Sequence, residues 1–444
     1  MDLKSKLYII VLIFIGEFFT GCSFNSDNKY FPYFPAVKKE QKISLYQIIT
    51  DTSIDLISKT EWGSGSFAID NNDVVPLKIK GRGNSSWRMP KKCYTIKFDE
   101  KQSILKISKA KKWVLVSNYA DKSLLRNKFT YDLGNQIFDN LIWTPSFDFC
   151  EITFNDEYLG SYIIGEKIEI GKERLNIQNI EDIEQVWENK NNKNLIDENQ
   201  DNIIDLYDGG FIVEINVHLD ENRNFITSRG VKISLKDPDD ISETTWDHIK
   251  SIIQRAEDEL YSETSNDIFE YFDIHSLVDW YIINEFAKNV DADFFTSVYM
   301  YYNPKDEKFH MGPIWDFDYG YGNINSRTCD SPIGWYINQT SDHSECNYYT
   351  RIFENAQFRV ILKNRWNKIK SDLHSSVNNH ILELEMKLKK SAKRNFERWK
   401  ILGIKSWQDA DGYEERTTWE SEVDYFIDFC NKRYEWMEVA INEL

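Results

Sequence analysis

The chain has 444 residues, enough for two or three lobes, and 41% hydrophobic with 28% charged residues excludes wholesale disorder. A formal charge of −18 argues against nucleic acid as a partner, because a polyphosphate is bound by concentrated Lys and Arg. Aromatic residues reach 15%, which a large α/β core explains and a glycan-facing surface would also use.

The chain starts with a short basic region at Lys4 and Lys6, followed by the apolar run from Leu7 to Gly16. That run is too short to span a bilayer comfortably, and Thr20-Gly21-Cys22 supplies a small-residue cleavage site. The pattern resembles a bacterial lipoprotein signal over residues 1–21, with Glu17 and Phe19 as departures from it. It implies export to the cell envelope with Cys22 acylated, so the expected membrane contact is an N-terminal lipid anchor. Residues 22–42 are polar with two prolines and read as a tether. Cys93, Cys150, Cys329, Cys346 and Cys430 show no metal-ligand spacing; Cys329 and Cys346 share a loop-rich region that suggests a disulfide.

Strand signals begin at Ile43 and recur at Ser66–Ile69 and Val74–Lys80. The last runs into Gly81-Arg82-Gly83-Asn84, and a further strand follows at Tyr94–Phe98. Two glycines spaced by one residue let backbone amides approach an anion, and Arg82 adds a bidentate phosphate contact; a plain tight hairpin uses the same glycines. Tyr94, Ile96 and Phe98 share one strand face, which sends Thr95 and Lys97 to the other. A lysine on a strand after a glycine-bearing turn is how kinases reach nucleotide phosphates.

Asp121 is placed to cap a helix whose apolar stripe is Leu125, Phe129, Leu133 and Ile137. Glu151–Asn155 and Tyr158–Ile164 form a hairpin that leads to Glu166. From 177 to 208 the composition turns polar, acidic and Asn-rich, an insertion between a part at 43–176 and a part at 209–444. Within it Asp197, Asn199, Asp201, Asp205 and Asp208 fall at positions one, three, five, nine and twelve of the calcium-loop template. Asn202 stands where that template has glycine and Asp208 where it has glutamate, so a Ca²⁺ site and a solvated acidic loop are both open.

A buried strand, FIVEIN, follows Gly209-Gly210; Thr244–Tyr261 reads as an amphipathic helix, and Asp273 caps another that ends at Lys288-Asn289. Asp291 and Asp293 come next, then a strand pair around Asn303-Pro304-Lys305-Asp306, then Asp316 and Asp318. Four acids meeting at one end of a hairpin are costly unless a cation or proton sits between them; solvated turn acids are the alternative, and flanking Trp315, Phe317 and Tyr319, which want burial, weigh against it. From Tyr349 on, the pattern is helical, with Trp, Phe and Leu stripes that suit a core.

The motif set RGNSSW with PKKCYTIKF, NYADKSLLRNK, YLGSYIIGEKIEI, GGFIVEI, KNVDAD and GPIWDFDYGYGN, in this order, resembles the CotH kinase family of spore-coat-protein-H-like atypical kinases. The resemblance implies an α+β, divergent, bilobal kinase-like fold with a mainly β N-terminal lobe and a helix-rich C-terminal lobe. It implies ATP as donor, Mg²⁺ or Mn²⁺ as cofactor, and Ser or Thr of a protein acceptor as substrate. By kinase order, Asp291 takes or orients the hydroxyl proton, Asp316 binds metal, and Asp318 ligates or supports it. Asp293 becomes a bystander, Arg82 and Lys97 face the phosphates, and Glu166 lies near the nucleotide. Arg126 and Asn127 match the family motif, and Lys236-Asp237-Pro238 another family signature, without an assigned role. The alternative from another class is an exported surface-binding or adhesion lipoprotein that keeps the fold without phosphotransfer; transfer of a nucleotidyl group is a third.

Overall fold

Alternation of apolar residues builds the first half of the chain into a barrel. The computed structural model describes residues 42–444 apart from 71–73, 105–106, 185–208, 264–266 and 340–345. The leader, Cys22, most of the tether and the candidate calcium loop from Asp197 to Asp208 therefore lie outside the described residues. Strands β1 (Ser44–Thr50), β2 (Gly63–Ile69), β3 (Val75–Arg82), β4 (Cys93–Ser103), β5 (Lys109–Val116), β6 (Phe147–Phe154) and β7 (Glu157–Glu166) close in the order β1-β2-β3-β4-β5-β7-β6. Each neighbouring pair is antiparallel except β1 with β6, which run parallel with Tyr46 opposite Ile152 and Ile48 opposite Phe154.

The barrel interior is filled by one face of every strand, including Tyr46, Ile79, Ile96, Trp113, Leu115 and Ile164, each almost wholly buried. Tyr94, Ile96 and Phe98 point inward as their alternation requires. Closure removes sheet edges, which an open N-terminal sheet would have left exposed. The hairpin β6–β7 turns through Asn155 and Asp156, both at positive φ (47° and 65°), a conformation that Asn and Asp tolerate and that matches strand twist.

Between β5 and β6 lies helix α2 (Arg126–Gln136), preceded by a one-turn helix α1 (Ser85–Arg88) after β3. The cap position of α2 is Leu125 rather than Asp121, but the Asp121 carboxylate reaches the helix start from four residues earlier, accepting the Arg126 backbone N–H at 2.9 Å and pairing with the Arg126 guanidinium at 2.5 Å, both side chains fully buried. Leu125, Phe129 and Leu133 form the buried stripe.

A second antiparallel sheet, ordered β12-β11-β8-β10-β9, joins β8 (Phe211–Ile215), β9 (Asn224–Ile226), β10 (Lys232–Asp237), β11 (Val298–Asn303) and β12 (Lys308–Met311). Around it lie α3 (Glu243–Leu260), α4 (Ile274–Ala287), α5 (Tyr348–Glu354), α6 (Ala356–Ser375), α7 (Ile381–Arg398) and α8 (Trp419–Asn442). Asp273 caps α4 by accepting the Ser276 N–H at 2.7 Å. A π-helical segment, Ser376–His380, joins α6 to α7. Helix α7 fastens the helical part to the barrel: Arg394 pairs with Glu151 at 2.7 Å and the Trp399 indole donates to the Leu159 carbonyl at 2.7 Å.

The expectation of a sheet-rich first part and a helix-rich second part holds, but the first part is a closed seven-stranded barrel. The suggested Cys329–Cys346 disulfide is absent: all five described cysteines are buried outside any disulfide, and the Cys346 thiol lies 3.1 Å from the Tyr261 hydroxyl. Among the described residues no helix is long and apolar enough to cross a membrane.

Candidate active site

Helix α4 delivers the first acidic turn. Its end is set by Lys288 in the left-handed region (φ 46°), after which Asn289 accepts the Asp291 N–H and starts a single 3₁₀ turn over Val290–Ala292. The Asn289 amide donates to the Asp316 carbonyl at 3.2 Å, tying this turn to the second acidic turn. Asp316 itself sits at φ 64°, its N–H directed at the Tyr131 hydroxyl at 3.3 Å, while the next N–H, of Phe317, donates to Asn127 at 2.7 Å. Asn323 donates to the Asp318 carbonyl at 2.6 Å, and the Tyr321 N–H donates to the Ala287 carbonyl at 2.5 Å. Both acidic turns are thus fixed by side-chain amides and by α2, not by their own carboxylates.

The carboxylates of Asp291, Asp316 and Asp318 converge, each half-buried. Burial raises the pKa of all three; Asp316 and Asp293 raise Asp291 further, and Asp316 and Asp121 raise Asp318. Asp316 and Asp318 lie close enough for each carboxyl to act on the other, and burial holds both above the usual carboxylate range. Arg82 acts the other way on Asp316, stabilising its charge, and its guanidinium lies 4.9 Å from the Trp315 ring centroid. Asp293 is buried and ion-paired with Arg327 at 2.7 Å. The four acids of the sequence pattern therefore divide into three that converge and one engaged elsewhere.

The family model for CotH kinase protein matches residues 79–437, from inside β3 to near the end of α8. The chain belongs to the CotH kinase family. A search of curated proteins gives no match.

In this CotH-family chain the glycine-bearing turn has a local reason for its glycines. A Cβ at Gly81 would stand 2.3 Å from the Trp87 ring, and Gly83 has φ 87°. Lys97 is on the outer barrel face, in register between Lys78 on β3 and Lys112 on β5, and makes no ion pair among the described residues. Glu166 is buried at the barrel rim, paired with Arg174 at 2.5 Å, and accepts from the Ser146 N–H at 2.9 Å and the Ser108 hydroxyl at 2.5 Å. Arg126 supports the Asp121 loop, and Asn127 holds the Phe317 backbone, which gives the two motif residues their places.

The sequence reading gave no role to Glu214, Lys236 or Tyr299, although Glu214 lies in the motif GGFIVEI and Lys236-Asp237-Pro238 also matches the family. Glu214 is buried on β8, bound to Lys236 at 3.0 Å, and its charge reaches both Asp291 and Asp316. Its signal is one acid within the apolar strand Phe211–Ile215, where a charge needs a partner. Among the described residues no three His, Cys, Asp or Glu side chains form a ready-made metal cage. The pair Asp316 and Asp318 is nevertheless the kind of donor set that a small divalent cation takes, one or two carboxylates with the rest of the shell left to other oxygens.

Proposed function

We propose that this chain is a CotH-family kinase of bilobal, kinase-like architecture that transfers the γ-phosphate of ATP to a Ser or Thr hydroxyl of a protein acceptor. The leader implies that it works in the cell envelope, held by a lipid on Cys22. The observation that carries the reading is the order helix, acidic turn, hairpin, acidic turn, with Asp291, Asp316 and Asp318 converging at its end. Protein kinases use that order to hold a catalytic-loop Asp beside a metal-binding Asp.

In the proposed reaction the acceptor oxygen attacks the γ-phosphorus, the bond from phosphorus to the β,γ-bridging oxygen breaks, and ADP leaves. The hydroxyl proton passes to Asp291, whose carboxylate is made more basic by burial and by its acidic neighbours. Asp316 and Asp318 would hold the divalent cation, which supplies charge neutralisation to the phosphates. Arg82 stabilises phosphate charge from the barrel side, with the Trp315 ring fixing its guanidinium. Asn127, Asn289 and Tyr131 keep Asp316 in place through its backbone and that of Phe317.

Steady-state kinetics of Asp291→Asn test this reading. Turnover should fall on the order of 10²-fold with ATP binding retained, since a general base is lost while the phosphate contacts remain. Unchanged turnover would remove Asp291 from the role.

A further inference from the structure

The second sheet presents a lysine to the same carboxylates. Lys236, next to the end of β10, is 3.0 Å from Glu214 and also pairs with Glu221, leaving its side chain 23% exposed. Glu214 is immobilised in turn: it accepts the Ser297 N–H at 2.9 Å and faces the Thr296 hydroxyl at 3.4 Å. Directly opposite Glu214 on β11 stands Tyr299, which feels Glu214, Lys236, Arg82 and Asp316 together. Lys236 pairs with Glu221, whose neighbour Asp220 accepts from Asn84, two residues beyond Arg82, so the two cations come to one place, one carried by the sheet and the other by the barrel. The glycine-bearing turn closes over this place: Asn84 donates to Asp220 at 3.4 Å, and Asn216, two residues beyond Glu214, donates to the same carboxylate at 2.8 Å.

Lys97 is differently placed. Arg82 is in register with Cys93, and Lys97 lies four residues further along β4, about 13 Å at the usual strand rise. Its neighbours across the ladder are lysines, so no carboxylate orients it as Glu214 orients Lys236.

We infer that Lys236, oriented by Glu214, is a phosphate-binding residue of this site, gripping the nucleotide's polyphosphate opposite Arg82. The inference rests on the kinase reading and adds a residue to it. A polyanion entering beside Asp291, Asp316, Asp318 and Glu214 needs protein cations on more than one wall. Lys236 provides the second, and its exposed neighbour Glu221 competes with the phosphates for it.

The test compares ATP with adenosine, which shares the base and ribose but has no phosphate, by calorimetric titration in the presence of Mn²⁺. Lys236→Met should weaken ATP about tenfold or more and leave adenosine within about twofold, the loss expected for a charge-assisted phosphate contact. Lys97→Met should change ATP affinity by less than about threefold, as for a charge remote from the contact. Glu221→Gln, on the surface and harmless to folding, should strengthen ATP about two- to fivefold by releasing Lys236, with adenosine unchanged. ATP affinity unmoved in Glu221→Gln, or ATP and adenosine weakened in equal proportion in Lys236→Met, would overturn the inference while leaving the kinase reading intact. Wild-type protein that binds no ATP would overturn both.

Discussion

Arg433 and Glu285 carry opposite charges at zero exposure, and their surroundings explain why they are tolerated. Glu285 accepts the N–H groups of Tyr336 and Ile337 at 2.7 and 2.9 Å; Arg433 donates to the carbonyls of Pro332 and Gly334 at 2.9 and 2.8 Å and to Glu285 at 2.7 Å. Lys288 adds three bonds, to the carbonyls of Thr328, Ser331 and Ile333. The irregular stretch after the second acidic turn is thus fixed to α4 by buried charges that satisfy its backbone. Removing one member leaves the other uncompensated, so Arg433→Met should lower unfolding stability by about 3–5 kcal/mol in urea denaturation. A loss under about 1 kcal/mol would mean that water replaces the guanidinium there.

Legibility at this scale follows the type of signal. Asp291, Asp316 and Asp318 stood out because clustered acids among aromatics conflict with burial, a conflict visible in the string. Lys236 and Glu214 received no role, because Glu214 is a lone acid in an apolar strand, Lys236 stands among the other charges of β10, and they meet only when β8 and β10 pair.

Among elements, period-two alternation located most strands, and four-residue steps located α2 and the helices of the second half. The strand Lys109–Val116 escaped because four of its first residues, Lys-Ala-Lys-Lys, hide the alternation that Trp113, Leu115 and their neighbours complete. Barrel closure escaped for another reason: β1 and β6 pair in parallel across about a hundred residues, and no local turn signals such a contact.

The end of β10 shows how a single group ties elements together. Asp237 accepts the Ile170 N–H at 2.5 Å, joining the segment after the barrel to the second sheet. Burial raises its pKa from 3.8 to about 6, outweighing that hydrogen bond and the nearby Lys167. The folded form therefore keeps a proton that the unfolded chain has lost between those values. Its stabilising contribution is complete below about pH 4 and disappears as pH rises through about 6, a change of roughly 3 kcal/mol. Asp237→Asn, neutral throughout, should match wild type near pH 4 and exceed it by up to about 3 kcal/mol at pH 7.5. Parallel stability–pH curves for the two proteins would contradict this.

For the whole molecule, the family match begins inside β3, yet β1 and β2 complete the barrel, so the structural unit extends beyond the matched residues. The net charge of −18 makes the few cations near the acidic turns informative, since the proposed nucleotide would have to be drawn to a place dominated by carboxylates. Arg82 on the barrel and Lys236 on the sheet would then face each other across the polyphosphate, with Asp291 left for the acceptor. Strands in the first part and helices from Tyr349 on were legible from patterning, and the division into a sheet-rich and a helix-rich part came with the family resemblance. The joining of the halves was not, because it depends on α7 and the residue after it meeting both β6, through Arg394 and Glu151, and β7, through the Trp399 indole on the Leu159 carbonyl.

The most direct measurement follows one phosphorus atom. The chain from Lys42 is incubated with Mn²⁺, a panel of Ser- and Thr-bearing protein acceptors, and ATP labelled at either the γ- or the α-position. The proposed phosphotransfer predicts acid-stable label on Ser or Thr from the γ-position alone, lost in Asp316→Ala. Label arriving from the α-position, or bound ATP with no label transferred, would contradict it.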